Sequence, residues 1–82
     1  MSYADGRIYV LKSHQTKDVS FGGTTSSLIN QLNFHKKEYM LFGPSLNPIM
    51  GYKDVWIELV EDYPCNNKKE LDERVVWWVN NI

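Results

Sequence analysis

Arg7-Ile8-Tyr9-Val10-Leu11-Lys12-Ser13 (RIYVLKS) alternates β-branched and aromatic residues, the pattern of a strand, and Val55-Trp56-Ile57-Glu58-Leu59-Val60-Glu61 (VWIELVE) does the same further along. In the second run Val55, Ile57 and Leu59 share one predicted face. Residues 14–18 are polar and read as a hairpin loop, after which Val19-Ser20-Phe21 forms a short second strand. Gly22-Gly23 is expected to stop that strand, because two glycines permit a sharp change of direction. Three strands interleaved with helical segments predict a small α+β domain.

Two helices fill the remaining sequence. Thr24-Thr25-Ser26-Ser27 offers several capping hydroxyls, and Leu28, Leu32, His35 and Tyr39 then fall in one stripe, with Gln31 on its flank. Phe42-Gly43-Pro44 breaks the pattern. Residues 45–50 are expected to add a short helical turn near Pro48, and Gly51-Tyr52-Lys53-Asp54 a turn. Asn67-Lys68-Lys69-Glu70 has the form of a capping box, followed by a stripe of Leu71, Val75, Trp78 and Ile82. Val75-Val76-Trp77-Trp78-Val79 is apolar almost all round, and propensity alone would allow a strand there. The cap and the stripe favour a helix.

Length and composition narrow the function. The chain of 82 residues is a single domain spanning residues 1–82, with no repeats or linkers. It is 43% hydrophobic, which supports a core. Eleven Trp, Tyr and Phe residues imply that aromatic surface remains outside for a second copy or a partner to cover. A net charge of −1 lacks the basic excess that phosphate binding draws on. Lys36-Lys37 and Lys68-Lys69, diluted by Glu38 and Glu70, read as solvated surface. Cys65 is alone, so neither an internal disulfide nor a CxxC metal site forms, and an isolated Cys suits a reducing compartment. The first six residues lack the apolar core of a signal peptide, and no apolar run approaches the roughly 20 residues of a membrane span. The expectation is a soluble, intracellular protein without membrane contact.

Several short runs, in this order and spacing, resemble the GIY-YIG nuclease domain. Gly6-Arg7-Ile8-Tyr9-Val10-Leu11 is similar to the first signature element with one residue inserted. Ser20-Phe21-Gly22 stands where the second element, Tyr-Ile-Gly, would be, and Gly23-Thr24-Thr25 continues in the family manner. Leu28, Gln31, Leu32 and His35 fit a helix that normally reads Leu-x-x-Arg-Leu-x-x-His. Residues 57–61, Tyr63-Pro64-Cys65 and residues 67–71 resemble the run before the family's catalytic Glu, as found in versions from phages and large DNA viruses. The resemblance covers roughly residues 6 to 79. It implies a three-stranded antiparallel sheet with flanking helices. It also implies a viral protein, in the virion or in the cytoplasm or nucleus of an infected host cell.

The resemblance also implies lost chemistry. Cleaving a phosphodiester needs an activated nucleophile, charge stabilisation and usually a divalent metal. The family's Tyr, Arg and Glu for these tasks fall on Ser20, Gln31 and Val75. Ser20 keeps a hydroxyl without the phenol's reach, and Gln31 has no charge and no bidentate guanidinium. Val75 offers no oxygen to a hard cation. Moving the alignment by a residue would bring Glu73 or Arg74 in, but a shift of one or two residues turns the side chain ~100° or ~200° around the helix. Tyr9 and His35 are retained at family positions, and without those partners they read as a sheet aromatic and a half-buried helix histidine. His14 reads as a solvated loop residue. Glu61-Asp62 and Asp72-Glu73, adjacent in sequence and not sharing a face, also read as solvated.

Neither cofactor nor metal is therefore expected. The vestigial positions are Tyr9, Ser20, Gln31, His35 and Val75, and the expected role is a catalytically inactive interaction or structural module. Its partners would be a second copy, in a homodimer anchored by Trp77 with Trp78 and Val76, and an unidentified protein. One alternative is a domain that binds nucleic acid weakly around Tyr9, Lys12, Gln31 and His35. The other is a divalent-metal-dependent endonuclease in which Ser20 or a water replaces the phenol and Glu73 supplies the metal ligand.

Overall fold

The computed structural model describes residues 3–43 and 48–81. Three strands, β1 (Arg7–Lys12), β2 (Ser20–Thr24) and β3 (Trp56–Asp62), form an antiparallel sheet in the order β2-β1-β3. Two helices, α1 (Leu28–Phe42) and α2 (Lys68–Asn80), pack on it, and 3₁₀ turns occupy Tyr3–Asp5 and Pro48–Gly51. The α+β reading with a three-stranded antiparallel sheet holds.

β1 sits in the middle and faces both layers. Tyr9 and Leu11 point towards α1, where they cluster with Leu32, Ile49 and Met50; Leu28, Tyr39, Tyr52, Val55 and Ile57 close the edges. Strand alternation turns Ile8 and Val10 the other way, towards α2. On that side Leu71 lies over Gly23 and the Trp78 ring stacks on Phe21 at 6.3 Å. Ile8 and Leu11 are both fully buried, on opposite faces, and each contributes about 1.5–3 kcal/mol.

Both helix starts follow capping chemistry. Of the four hydroxyls before α1, Ser27 is the cap and accepts the Asn30 backbone N–H. α1 stops at Gly43, whose φ of 78° is left-handed and whose N–H bonds the Tyr39 carbonyl. Asn67 caps α2 through the Glu70 N–H at 3.0 Å, and Glu70 Oε1 reaches back to the Asn66 N–H, one residue earlier than the standard box. The β-branched and aromatic run after it is helical, because packing on the sheet outweighs propensity.

Gly22-Gly23 does not end β2; it lies inside the strand, paired with Tyr9 and Ile8. The two glycines serve close approach rather than a turn. A β-carbon on Gly22 would stand 2.5 Å from Cζ of Tyr9, and one on Gly23 would stand 2.7 Å from Cγ of Leu71. One glycine makes room for each layer.

β3 carries a bulge. Ile8 pairs with Glu61 but Tyr9 pairs with Leu59, so Val60 is the extra residue. Val55 and Ile57 join the α1 side as expected, while Leu59, on the same side, remains about half exposed. Glu61, with the same odd numbering, is turned to the α2 side. The helical turn expected over residues 45–50 is present from Pro48; its earlier part and Ile82 lie outside the described residues. Asp54 ties the β1–β2 loop to β3, taking the Ser13 hydroxyl, the His14 N–H at 2.9 Å and the Gln15 amide at 3.2 Å. The exposed His14 ring rests on Trp56 at 4.5 Å, so it is a packing residue rather than a merely solvated one. Among the described residues no helix is long and apolar enough to cross a membrane.

Candidate functional site

Tyr9, Gln31, His35 and Thr24 form one partly buried polar cluster. The Tyr9 ring stands over Gly22 in the α1 layer and brings its hydroxyl to 2.6 Å from Nε2 of His35. Gln31, one turn earlier on α1, places its amide nitrogen 3.3 Å from the Tyr9 hydroxyl and 3.2 Å from the same imidazole nitrogen. Its amide oxygen accepts the Thr24 hydroxyl at 2.9 Å. A neutral imidazole nitrogen has one lone pair, so a single arrangement serves every group. The Gln31 amide donates to the phenol oxygen, the phenol donates to Nε2, and His35 carries its proton on Nδ1. That nitrogen lies 3.9 Å from the Glu38 carboxylate.

Burial sets the protonation of this cluster. It pushes the Tyr9 phenol above its usual value, opposed by the Gln31 hydrogen bond and helped by Glu38. It also pushes His35 below its usual value, with Glu38 opposing. Both groups are therefore neutral at physiological pH, with the phenol proton engaged in its hydrogen bond to His35. Gln31 brings no charge to the cluster, and its carbonyl and amide are both engaged inside the fold. This arrangement can hold α1 in register over the sheet. None of its four members carries a guanidinium, and Arg7, opposite Thr24 on the same face, donates to the Ser26 carbonyl at 2.7 Å.

The other two expected positions lie elsewhere. Ser20 is on the Tyr9 face of the sheet, paired with Leu11, and opens into a separate hollow of about 440 Å³ with Asp18, Ile49 and Tyr52. Val75 is on α2, one turn beyond Leu71, in the layer on the opposite face of the sheet. α2 approaches Gln31 only around the outer edge of β2. A hollow of about 230 Å³ there is lined by Thr24, Gln31, Lys68, Leu71 and Asp72. Lys68 and Asp72 pair with each other at 2.9 Å. Lys12, expected beside Tyr9, is on the α2 face instead, where it pairs with Glu58 at 2.9 Å. Among the described residues no group of three His, Cys, Asp or Glu side chains is arranged to hold a metal ion.

A second cluster, unanticipated from sequence, surrounds Glu61 and corrects its reading as solvated. Arg74 grips both carboxylate oxygens, the second at 3.2 Å, and the Trp78 indole donates to Oε1 at 2.8 Å. The Arg74 guanidinium also lies 4.1 Å from the centre of the Trp77 ring. Arg74 holds the Glu61 carboxyl below its usual value, with burial opposing it and Trp78 adding a smaller pull in the same direction as Arg74. Trp78 is thus committed to the fold by its stack on Phe21 and its bond to Glu61. Trp77 meets Trp78 edge-on at 5.1 Å and remains 44% exposed, with Val76 and Val79 exposed beside it. An i, i+13 spacing of Glu and Arg carries no periodic signal; only the bulge at Val60 brings the pair together.

No family model matches the chain, and no curated protein or solved structure matches it.

Proposed function

We propose that this chain is a catalytically inactive, GIY-YIG-like domain that works as a protein-interaction or structural module and associates with itself through α2. The carrying observation is Trp77. Its ring is fixed between Arg74 and Trp78 yet nearly half exposed, with Val76 and Val79 extending the apolar surface. An aromatic already ordered before contact loses little rotamer freedom on binding, and such residues dominate interface energetics. In this reading Trp77 and Val76 make the contact, and Trp78 positions Trp77 from behind.

Loss of catalysis is supported by what Gln31 does. The position that would hold a guanidinium instead carries an amide spent on Thr24 and Tyr9. Val75 adds no carboxylate, and Glu73, the substitute ligand in the endonuclease alternative, is exposed on α2 beside Lys69 and Val76. The nucleic-acid-binding alternative loses its one basic residue, because Lys12 is paired on the other face. The viral setting rests on the sequence resemblance alone.

Sedimentation velocity of the wild type and Trp77→Ala tests the association. The wild type should sediment as more than a monomer, with Trp77→Ala shifted towards monomer; an unchanged distribution rejects α2 as the contact. Incubation with supercoiled DNA and Mg²⁺ or Mn²⁺ tests the inactivity. Cleavage that disappears in Tyr9→Phe or His35→Ala would overturn it.

A further inference from the structure

α1 carries a second apolar face that the core does not use. Leu32, buried, defines its inward side; Phe34, Leu41 and Phe42 are 54%, 67% and 64% exposed. At ~100° per residue Phe34, Lys37, Glu38 and Leu41 form one stripe on the side of the helix away from Leu32. Those residues and Phe42 line a shallow, mostly apolar hollow of about 280 Å³. A solvent-facing helix surface is normally polar, so two large apolar side chains in one stripe, with Phe42 at its edge, mark a contact surface.

The order of residues in the stripe identifies the occupant. In an antiparallel pair of identical helices related by a two-fold axis between Lys37 and Glu38, Phe34 of one copy faces Leu41 of the other. Leu41 faces Phe34 in return, because the two positions are equidistant from the axis. The same operation sets Lys37 against Glu38 of the other copy, twice. The stripe is therefore complementary to itself in its apolar and charged pairings, as an isologous contact requires. Parallel pairing would instead place Lys37 on Lys37 and Glu38 on Glu38.

We infer that α1 is a self-association surface, on which a second copy of this chain docks antiparallel with Phe34 against Leu41 and Lys37 against Glu38. The partner's Phe34 fills the hollow beside Leu41 and Phe42. This contact is independent of the α2 contact proposed above. α1 and α2 lie on opposite faces of the sheet, so a chain using both surfaces is bivalent and joins more than two copies.

A charge-swap series in the Trp77→Ala background, read by sedimentation equilibrium, tests α1 apart from α2. The Trp77→Ala protein should still self-associate. Lys37→Glu alone and Glu38→Lys alone should each weaken that association roughly tenfold, since two-fold symmetry counts every lost pair and every new repulsion twice. Lys37→Glu with Glu38→Lys should restore it, which no purely structural role of either residue explains. Phe34→Asp should abolish it while leaving the near-ultraviolet circular dichroism unchanged. A monomeric Trp77→Ala protein overturns the inference, as do single charge reversals without effect or a double reversal that fails to rescue. Failure of the α2 contact alone reads differently: the wild type and Trp77→Ala would then associate equally, and the charge series would still respond.

Discussion

Gly22→Ala adds one methyl group where the structure has no room for it. The new carbon would lie 2.5 Å from Cζ and 3.0 Å from Cε2 of Tyr9, against the ~3.5–4.0 Å at which carbons rest in contact. Neither side yields easily, because Gly22 and Tyr9 are paired neighbours in the sheet and Tyr9 is packed in the α1-side cluster. The ring must move by about 1 Å, which costs about 1–3 kcal/mol as overpacking. The same movement takes the hydroxyl from His35 and Gln31, leaving partly buried groups unsatisfied at about 1–3 kcal/mol. Reduced freedom of the unfolded chain returns about 0.4–1 kcal/mol. The net loss is about 1–5.5 kcal/mol, a large share of the ~4–12 kcal/mol typical of a domain this size. At ~4–8 °C per kcal/mol, Tm should fall by at least about 4 °C in a tryptophan-fluorescence melt. Tyr9→Phe breaks the same hydrogen bonds, so the double variant should lose less than the sum of the two. A Gly22→Ala protein melting within about 3 °C of wild type, or an additive cycle, refutes this account of β2.

Three further outcomes follow from the two polar clusters and the bulge. Burial holds the His35 folded-state pKa below its unfolded value of 6.5, so the unfolded chain binds the extra proton first. The stability this contributes is complete above pH 6.5 and is lost as pH falls through the lower folded value; urea unfolding at pH 7.5 and 5.5 should show the decline, and His35→Gln should flatten it. Glu61 works in a lower window. Arg74 depresses its folded pKa below 4.5, so its contribution is complete above that pH and is lost as pH falls through the folded value. Acid unfolding followed by Trp fluorescence should lose that component in Glu61→Gln. Deleting Val60 should preserve a cooperative melt, because the regular ladder left behind keeps Leu59 opposite Tyr9 and Glu61 opposite Ile8. Loss of cooperative unfolding in that deletion would show that the bulge does more than set phase.

The candidate site was legible where helix and strand periodicity carried it. Tyr9 on a strand and Gln31 and His35 on one flank of a helix are placed by local pattern, and the structure joins these three. Ser20 and Val75 were tied to them only through the resemblance. Periodicity says nothing about which face of the sheet a later helix covers, and α2 covers the face away from Tyr9. Gly22-Gly23 misled for a related reason. A glycine pair reads as a turn when only backbone freedom is considered, whereas here it answers the bulk of Tyr9 on one side and Leu71 on the other. That pressure comes from residues 13 and 48 positions away in the chain, outside any local window.

Glu61 shows how one extra residue decides between two structures. In a regular β3, Ile57, Leu59 and Glu61 would share a face, and the carboxylate would be drawn under α1, where a buried charge would need a partner. Val60 absorbs the conflict. With it bulged, Ile57 and Leu59 keep the α1 side and Glu61 crosses to α2, where Arg74 and the Trp78 indole meet it. Satisfying Glu61 in this way fixes the angle of α2 over Phe21, and with it the direction in which Trp77 points out of the domain. The surface proposed for association on α2 is thus set from inside the sheet. The α1 stripe owes nothing to the bulge, since its phase is fixed by Leu32 and His35 on the same helix. The two surfaces should accordingly fail separately: a change at Glu61 should disturb the Trp77 contact while leaving the Phe34–Leu41 contact intact.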